Sequence, residues 1–313
     1  MWCGPATSPT PRLCFRAPRS DRVLPGWDII AGSLIGGLLT GGVYALVALG
    51  LTLIYGVLHI VNFAHGALLM VGMYVAWVLF TRAGIDPYLA LPLVTAVMFG
   101  VGWALYSTVI GRVSHDEDRA LLLATLGVSV IVENGALVLF TGDSQSIETP
   151  LSFAVVEVGP LLLPSAKLVS CAVALGLAAL LWGFMSRTQT GRAIRAVARE
   201  PEGARLAGIR PARMFALAYG IGTACLGAAA CLLLPSFYVS PQVGENFVLI
   251  AFTIVVLGGM GSFPGAVLGA LLVGVAESLG GLLLGESLGP ISISLTFIAV
   301  LLLRPTGLFG ASR

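Results

Sequence analysis

SRTQTGRAIRAVAREPEGARLAGIRPAR, residues 186–213, is the only long polar run inside an otherwise apolar chain. It carries Arg187, Arg192, Arg195, Arg199, Arg205, Arg210 and Arg213 against two acids, Glu200 and Glu202. The apolar runs on either side are about as long as a bilayer is thick. The segment therefore reads as a cytoplasmic loop of a polytopic membrane protein and fixes which way the chain faces. Helical spacing puts Arg192, Arg195 and Arg199 on one stripe, with Ile194, Val197 and Ala198 on the opposite side. Pro201 stops that helix but suits the first turn of the next, PEGARLA, which Gly208 can end. Two short helices at the membrane surface are expected. Their arginines suit lipid phosphates or a soluble cytoplasmic partner equally, and position and charge do not separate the two.

Of 313 residues 57% are hydrophobic and only 10% are charged, far outside the range of a soluble globular domain. The chain is expected to be an all-α, polytopic transmembrane helix bundle surrounded by lipid. Its net charge of +2 says little about partners, and nothing points to nucleic acid. Cys171, Cys225 and Cys231 sit in apolar runs as small buried hydrophobes, and Cys3 and Cys14 lie in a polar tail, so no disulfide framework is expected. His59, His65 and His115 form no metal-ligand cluster. There is no phosphate-binding G-x-x-x-x-G-K-[ST] run, so any nucleotide chemistry belongs to another chain. The spans carry no Ser/His nucleophile arrangement either, which argues against an intramembrane enzyme.

Residues 1–26 form an Arg- and Pro-rich tail, expected to be disordered, and residues 27–313 form the transmembrane domain. The run at 29–57 is long for one crossing and short for two. It contains the small-residue spacings Gly32/Gly36 and Gly37/Gly41, which allow close helix contact. Further spans fall near 67–80, 88–111, 120–140, 167–185 and 214–235, then a Gly-broken pair at 247–257 and 263–281, and a last span at 290–303, about eight crossings in all. Alternation outward from 186–213 puts 111–119 and the chain end with Arg304 and Arg313 inside. It puts 141–166, which bears Asp143, Glu148 and Glu157 and no Lys or Arg before Lys167, outside. The same parity exports the N-terminal tail despite Arg12, Arg16, Arg19 and Arg22, unless 29–57 hides a re-entrant piece.

Two apolar runs are interrupted in corresponding ways. The first stops at Asn62, Phe63, Ala64, His65 and Gly66; the second stops at Gly258, Gly259, Met260, Gly261, Ser262, Phe263, Pro264 and Gly265. Paired Gly/Pro-interrupted segments point to a permeation path, because non-helical backbone at membrane depth must be buried in protein or line a cavity. Six crossings separate the breaks, so both face the same side. Blander roles stay open: a tight turn for the second break, a helix-packing seam for Gly261, Gly265 and Gly269, a structural hydrogen bond for His65 and a helix cap for Asn62. Glu133 and Glu277 sit inside apolar runs and are expected to turn toward a partner or water, since an ionised carboxylate in lipid is costly.

The blocks GGVYALVALGLTLIYGVLHIVNFAHGALLMVGMY, LLATLGVSVIVEN, TGRAIRAVAREPEGARLAGI, AFTIVVLGGMGSFPGAVLGALLVGVAES and LLRPTGLFG together resemble the permease subunits of bacterial ABC importers for branched-chain amino acids, in particular the shorter of the two. The resemblance runs from about 36 to 310. It implies a bacterial inner-membrane subunit that pairs with a second homologous permease, two cytoplasmic ATPases carrying ATP and Mg, and a periplasmic or extracellular substrate-binding protein, with no cofactor on this chain. Gly191, Arg192, Arg195, Ala196, Glu200, Ala204 and Gly208 match the family's ATPase-abutting loop. The two breaks match its most recognisable membrane blocks. The substrate is left open among branched-chain amino acids, urea, short amides and aromatic acids. A stand-alone ion-coupled transporter would instead need Glu133, Glu277 or His65 as its coupling site.

Overall fold

The computed structural model describes residues 26–113, 118–158, 161–285, 288–304 and 306–309. The tail expected at 1–26, apart from Gly26, lies outside these, as do His115 and Arg313. Among the described residues seven helices are long and apolar enough to cross a membrane, and two apolar helices are shorter.

In chain order the helices are α1 (Trp27–Leu58), α2 (His65–Ala83), α3 (Pro87–Thr108), α4 (Asp118–Phe140), α5 (Pro150–Phe153), α6 (Ser165–Arg187), α7 (Gln189–Arg199), α8 (Pro201–Leu206), α9 (Pro211–Leu233), α10 (Val243–Gly258), α11 (Phe263–Leu284) and α12 (Gly289–Leu303). The run at 29–57 is thus one unbroken helix, which removes the re-entrant alternative. At 32 residues it is roughly 48 Å long, well beyond a hydrocarbon core of about 30 Å. The broken pair becomes two separate helices, α10 and α11. The sequence patterning missed a small antiparallel hairpin, β1 (Val155–Val158) with β2 (Leu161–Pro164), in the segment opposite the arginines. Gln145 pairs with Val239 at that end and ties the hairpin's segment to the α9–α10 connection.

Helix α1 is the hub. From Val43 to Ile54 every residue is buried, against α6, α9, α10 and α11. It runs antiparallel to α11. The Ser33 and Ser278 hydroxyls donate to each other's backbone carbonyls at 3.0 and 2.7 Å near one end, and Gly56 lies beside Gly261 at the other. Between them a Cβ on Gly37 would come within 2.7 Å of the Gly274 carbonyl oxygen, and one on Gly41 within 2.7 Å of that of Ala270. Close backbone approach is what small residues permit in lipid, where no hydrophobic force draws helices together. Neighbouring Gly36 meets nothing and Gly32 only the Leu161 side chain, so of the two small-residue spacings it is Gly37/Gly41 that lies against a helix backbone. A second antiparallel pair, α3 with α9, packs Gly227 against Val94 and Met98, and Gly220 against Phe99. Helix α4 lies at the margin, held to α2 by Tyr74 stacked on Phe140 at 4.1 Å.

Candidate functional site

The arginine loop folds as its residues predict. Thr188 caps α7, its hydroxyl accepting from the Gly191 N–H at 3.0 Å, and Pro201 opens α8 one residue after Glu200 ends α7. Gly208 ends α8 in a left-handed conformation, φ 79°, that favours glycine. Gly191 crosses the end of α6 so closely that a Cβ would meet the Met185 backbone, and the Arg195 guanidinium donates to the Met185 carbonyl. Ile194 and Val197 are wholly buried in the protein, and Ala204 beneath α8 nearly so. All seven arginines, with Ala196 and Glu200, are exposed. Among the described residues the sole ion pair is Arg205 with Glu202, at 2.8 Å. The apolar stripe of α7 is therefore spent on its own bundle rather than on lipid. Leu206 at the tip of α8 is 92% exposed. Sequence patterning overlooked it, although it is the one large apolar side chain in PEGARLA.

Both breaks lie at the arginine-bearing end. After α1 ends, His59 takes φ 57° and the chain turns back along α1 through residues 59–64. It re-enters the bundle by roughly 16 Å, so that His65 Nε2 meets the Val47 carbonyl at 3.0 Å. Ile60, Asn62 and Ala64 along this return are buried, which satisfies the rule that irregular backbone at depth is enclosed by protein. The Asn62 amide donates to the Tyr219 hydroxyl of α9 at 2.8 Å, and its carbonyl oxygen accepts from the Ala64 N–H at 3.1 Å. His65 Nδ1 is buried without a hydrogen-bond partner among the described residues. Gly66 abuts Gly244 at the start of α10, with no room for a Cβ on either. Asn62→Leu should leave the Tyr219 hydroxyl and the Ala64 N–H unpaired. A loss of about 1–3 kcal/mol is expected, read as a lower melting temperature in detergent, with Tyr219→Phe losing less.

The second break, residues 259–262, is a tight turn between the antiparallel α10 and α11. Gly259 and Gly261 have φ of 96° and 86°, and the Ser262 hydroxyl accepts from the Gly265 N–H at 3.2 Å. Gly258 and Gly265 touch backbone to backbone, and Gly269 continues the contact against Ile254. The Leu308 and Phe309 N–H groups donate to the Leu257 and Gly258 carbonyls at 2.8 and 3.1 Å.

Arg195, Gly261 and Ser262, far apart in sequence, line one recess of roughly 440 Å³ together with His59, Trp182 and Arg199. Asn62, His65 and Gly66 form a separate cluster among α1, α9 and α10. Glu133 joins neither: on α4 it accepts from the Ser129 hydroxyl of its own helix at 2.9 Å. Glu277 lies toward the opposite end of the bundle, where it and Tyr44 of α1 line one cavity.

A family model described as a branched-chain amino acid transport system permease component matches residues 33–304. The high-affinity branched-chain amino acid transport system permease protein BraD of Pseudomonas aeruginosa is 33% identical over 291 residues, covering 88% of this chain and 94% of that protein. LivH of Escherichia coli K12, described in the same words, is 31% identical over 298 residues, with coverage of 88% and 94%. A probable branched-chain amino acid transport permease LivH of Methanocaldococcus jannaschii is 30% identical over 289 residues, with coverage of 88% and 91%. A multi-pass bundle of apolar helices, matched to its relatives over nearly the whole length of both, belongs to the branched-chain amino acid permease family.

Proposed function

We propose that this chain is one transmembrane subunit of an ATP-driven importer that carries branched-chain amino acids across a bacterial inner membrane. It would pair with a second homologous permease, two cytoplasmic ATPases and a substrate-binding protein on the outer side. The observation that carries this beyond family membership is the surface of α7 and α8. Its apolar side is buried on the bundle, while its arginines and Leu206 face outward with one acidic partner among them. Such a surface, an apolar anchor ringed by cations, suits a protein partner with a complementary acidic cleft.

Nucleotide hydrolysis takes place on the partner ATPases. This chain's part is mechanical. The Gly191–Met185 contact and the Arg195–Met185 hydrogen bond join α7 to the end of α6, so a displacement of α7 moves α6 with it. The recess lined by Arg195 and Ser262 adjoins both the loop and the turn between α10 and α11, and the same displacement reaches that turn. Alternating access then follows from rocking of helices against one another, driven by differential nucleotide binding to two states of the complex.

The assembled importer, reconstituted in liposomes with its binding protein outside and ATP inside, is expected to accumulate leucine, isoleucine and valine. Accumulation should stop when ATP is withheld and a proton gradient is kept. Uptake that follows the proton gradient would instead establish an ion-coupled transporter. Uptake of urea, amides or aromatic acids in preference to leucine would change the substrate.

A further inference from the structure

A cavity of roughly 320 Å³ lies between α10, α11, α12 and the α9–α10 connection, away from the arginine loop. Its lining is of two chemical kinds. Phe247, Ile250 and Ile293 supply hydrocarbon, with Tyr44 packed edge-on to Phe247 at 6.0 Å. Glu277, Asn246 and Ser294 supply a carboxylate, an amide and a hydroxyl. Tyr44 lines the cavity with Glu277, and Lys167 acts on that carboxyl electrostatically. Among the described residues no cation forms an ion pair with it. A carboxylate in this setting is costly until a positive charge arrives. A chamber of this size, mostly apolar with a few polar groups to fix orientation, has the form of a small-molecule site.

We propose that this cavity is the permease's own recognition site for a zwitterionic amino acid with an apolar side chain. Glu277 takes the ammonium, Asn246 offers its N–H groups to the carboxylate, and Phe247, Ile250 and Ile293 enclose the alkyl group. The site rests on the importer reading above and adds to it a point inside the membrane where an amino acid is told from a fatty acid or an alcohol of the same shape. The ammonium contact makes that distinction, because a ligand without a positive charge leaves Glu277 with no ion-pair partner among the described residues.

The test uses the complete importer in lipid nanodiscs with Ser294→Cys as a reporter, its maleimide labelling read at that position by peptide mass spectrometry. The described native cysteines, Cys171, Cys225 and Cys231, are buried. L-leucine and isopentylamine are expected to slow labelling by about threefold at twice their half-saturating concentration, and 4-methylpentanoate, which lacks the amine, is not. Glu277→Gln should abolish protection by leucine. Equal protection by 4-methylpentanoate, undiminished protection in Glu277→Gln, or no protection by leucine in an importer that transports it would each overturn the site. Where Glu277→Gln does not assemble, Ile293→Trp fills the cavity and leaves Glu277 and Tyr44 unchanged; protection that survives it overturns the site equally. An importer that transports no amino acid overturns the importer reading and the site together, whereas leucine transport without this protection pattern overturns the site alone.

Discussion

Replacing Arg192 and Arg195 together by glutamate is expected to leave the protein folded in the membrane and to abolish ATP-driven uptake. Both side chains are exposed, so the fold loses little beyond the Arg195–Met185 hydrogen bond, and exposed substitutions of this kind shift stability by about 0.5 kcal/mol. The partner surface loses far more. Setting like charges against each other across the proposed docking interface costs several kcal/mol, and association with the proposed ATPase subunits should weaken on the order of 100-fold. Co-purification of the ATPases with the permease measures this directly, and leucine uptake into proteoliposomes measures its consequence. Arg192→Glu alone separates the two roles, because Arg192 has no bond to α6 to lose. Normal uptake in the double variant would rule out docking at α7.

The second large effect lies in the glycine contacts. A Cβ on Gly258 would meet the Gly265 backbone and stand 2.7 Å from the Ala266 amide nitrogen, and neither can swing aside as a side chain tip could. The pair α10–α11 is further clasped by the Leu308 and Phe309 hydrogen bonds, so the collision has no easy relief. Gly258→Val is expected to cost ~3 kcal/mol or more and to remove most folded protein from a size-exclusion profile in detergent. Gly36→Ala is the matched control. Nothing lies within 4 Å of its Cβ, and alanine exceeds glycine in helix propensity by about 1 kcal/mol, so the variant should be neutral or slightly stabilised. Equal loss in both would mean that the close α10–α11 approach does not hold the bundle.

The loop at 186–213 was legible almost residue by residue, because its signals are local: Pro201 opens a helix, Gly208 closes one, and arginine spacing selects a face. The Gly37/Gly41 pairing was legible as a spacing, but the direction it faces was not. Gly36 and Gly37 differ only in pointing toward lipid-side space or toward Gly274, more than two hundred residues away. Sequence separation likewise hid the Asn62–Tyr219 bond, 157 residues apart, and the Gly66–Gly244 contact. Glu133 was expected to seek a partner, and that partner is Ser129 four residues earlier, a local pairing that helical spacing alone could have named. The hairpin at 155–164 escaped because two four-residue strands of Val and Leu carry too little alternation to register against apolar surroundings. Leu206 escaped because exposure is a property of the folded surface and not of the residue.

The central position of α1 has a consequence for how the chain is made. Among the described helices it leaves the ribosome first, and its main partner, α11, follows only after α2 to α10. Until then the side bearing Gly37 and Gly41 is turned toward acyl chains. A helix apolar around its whole circumference tolerates this, and its lack of a polar side is what allows the innermost element of the finished protein to precede its main partner into the bilayer.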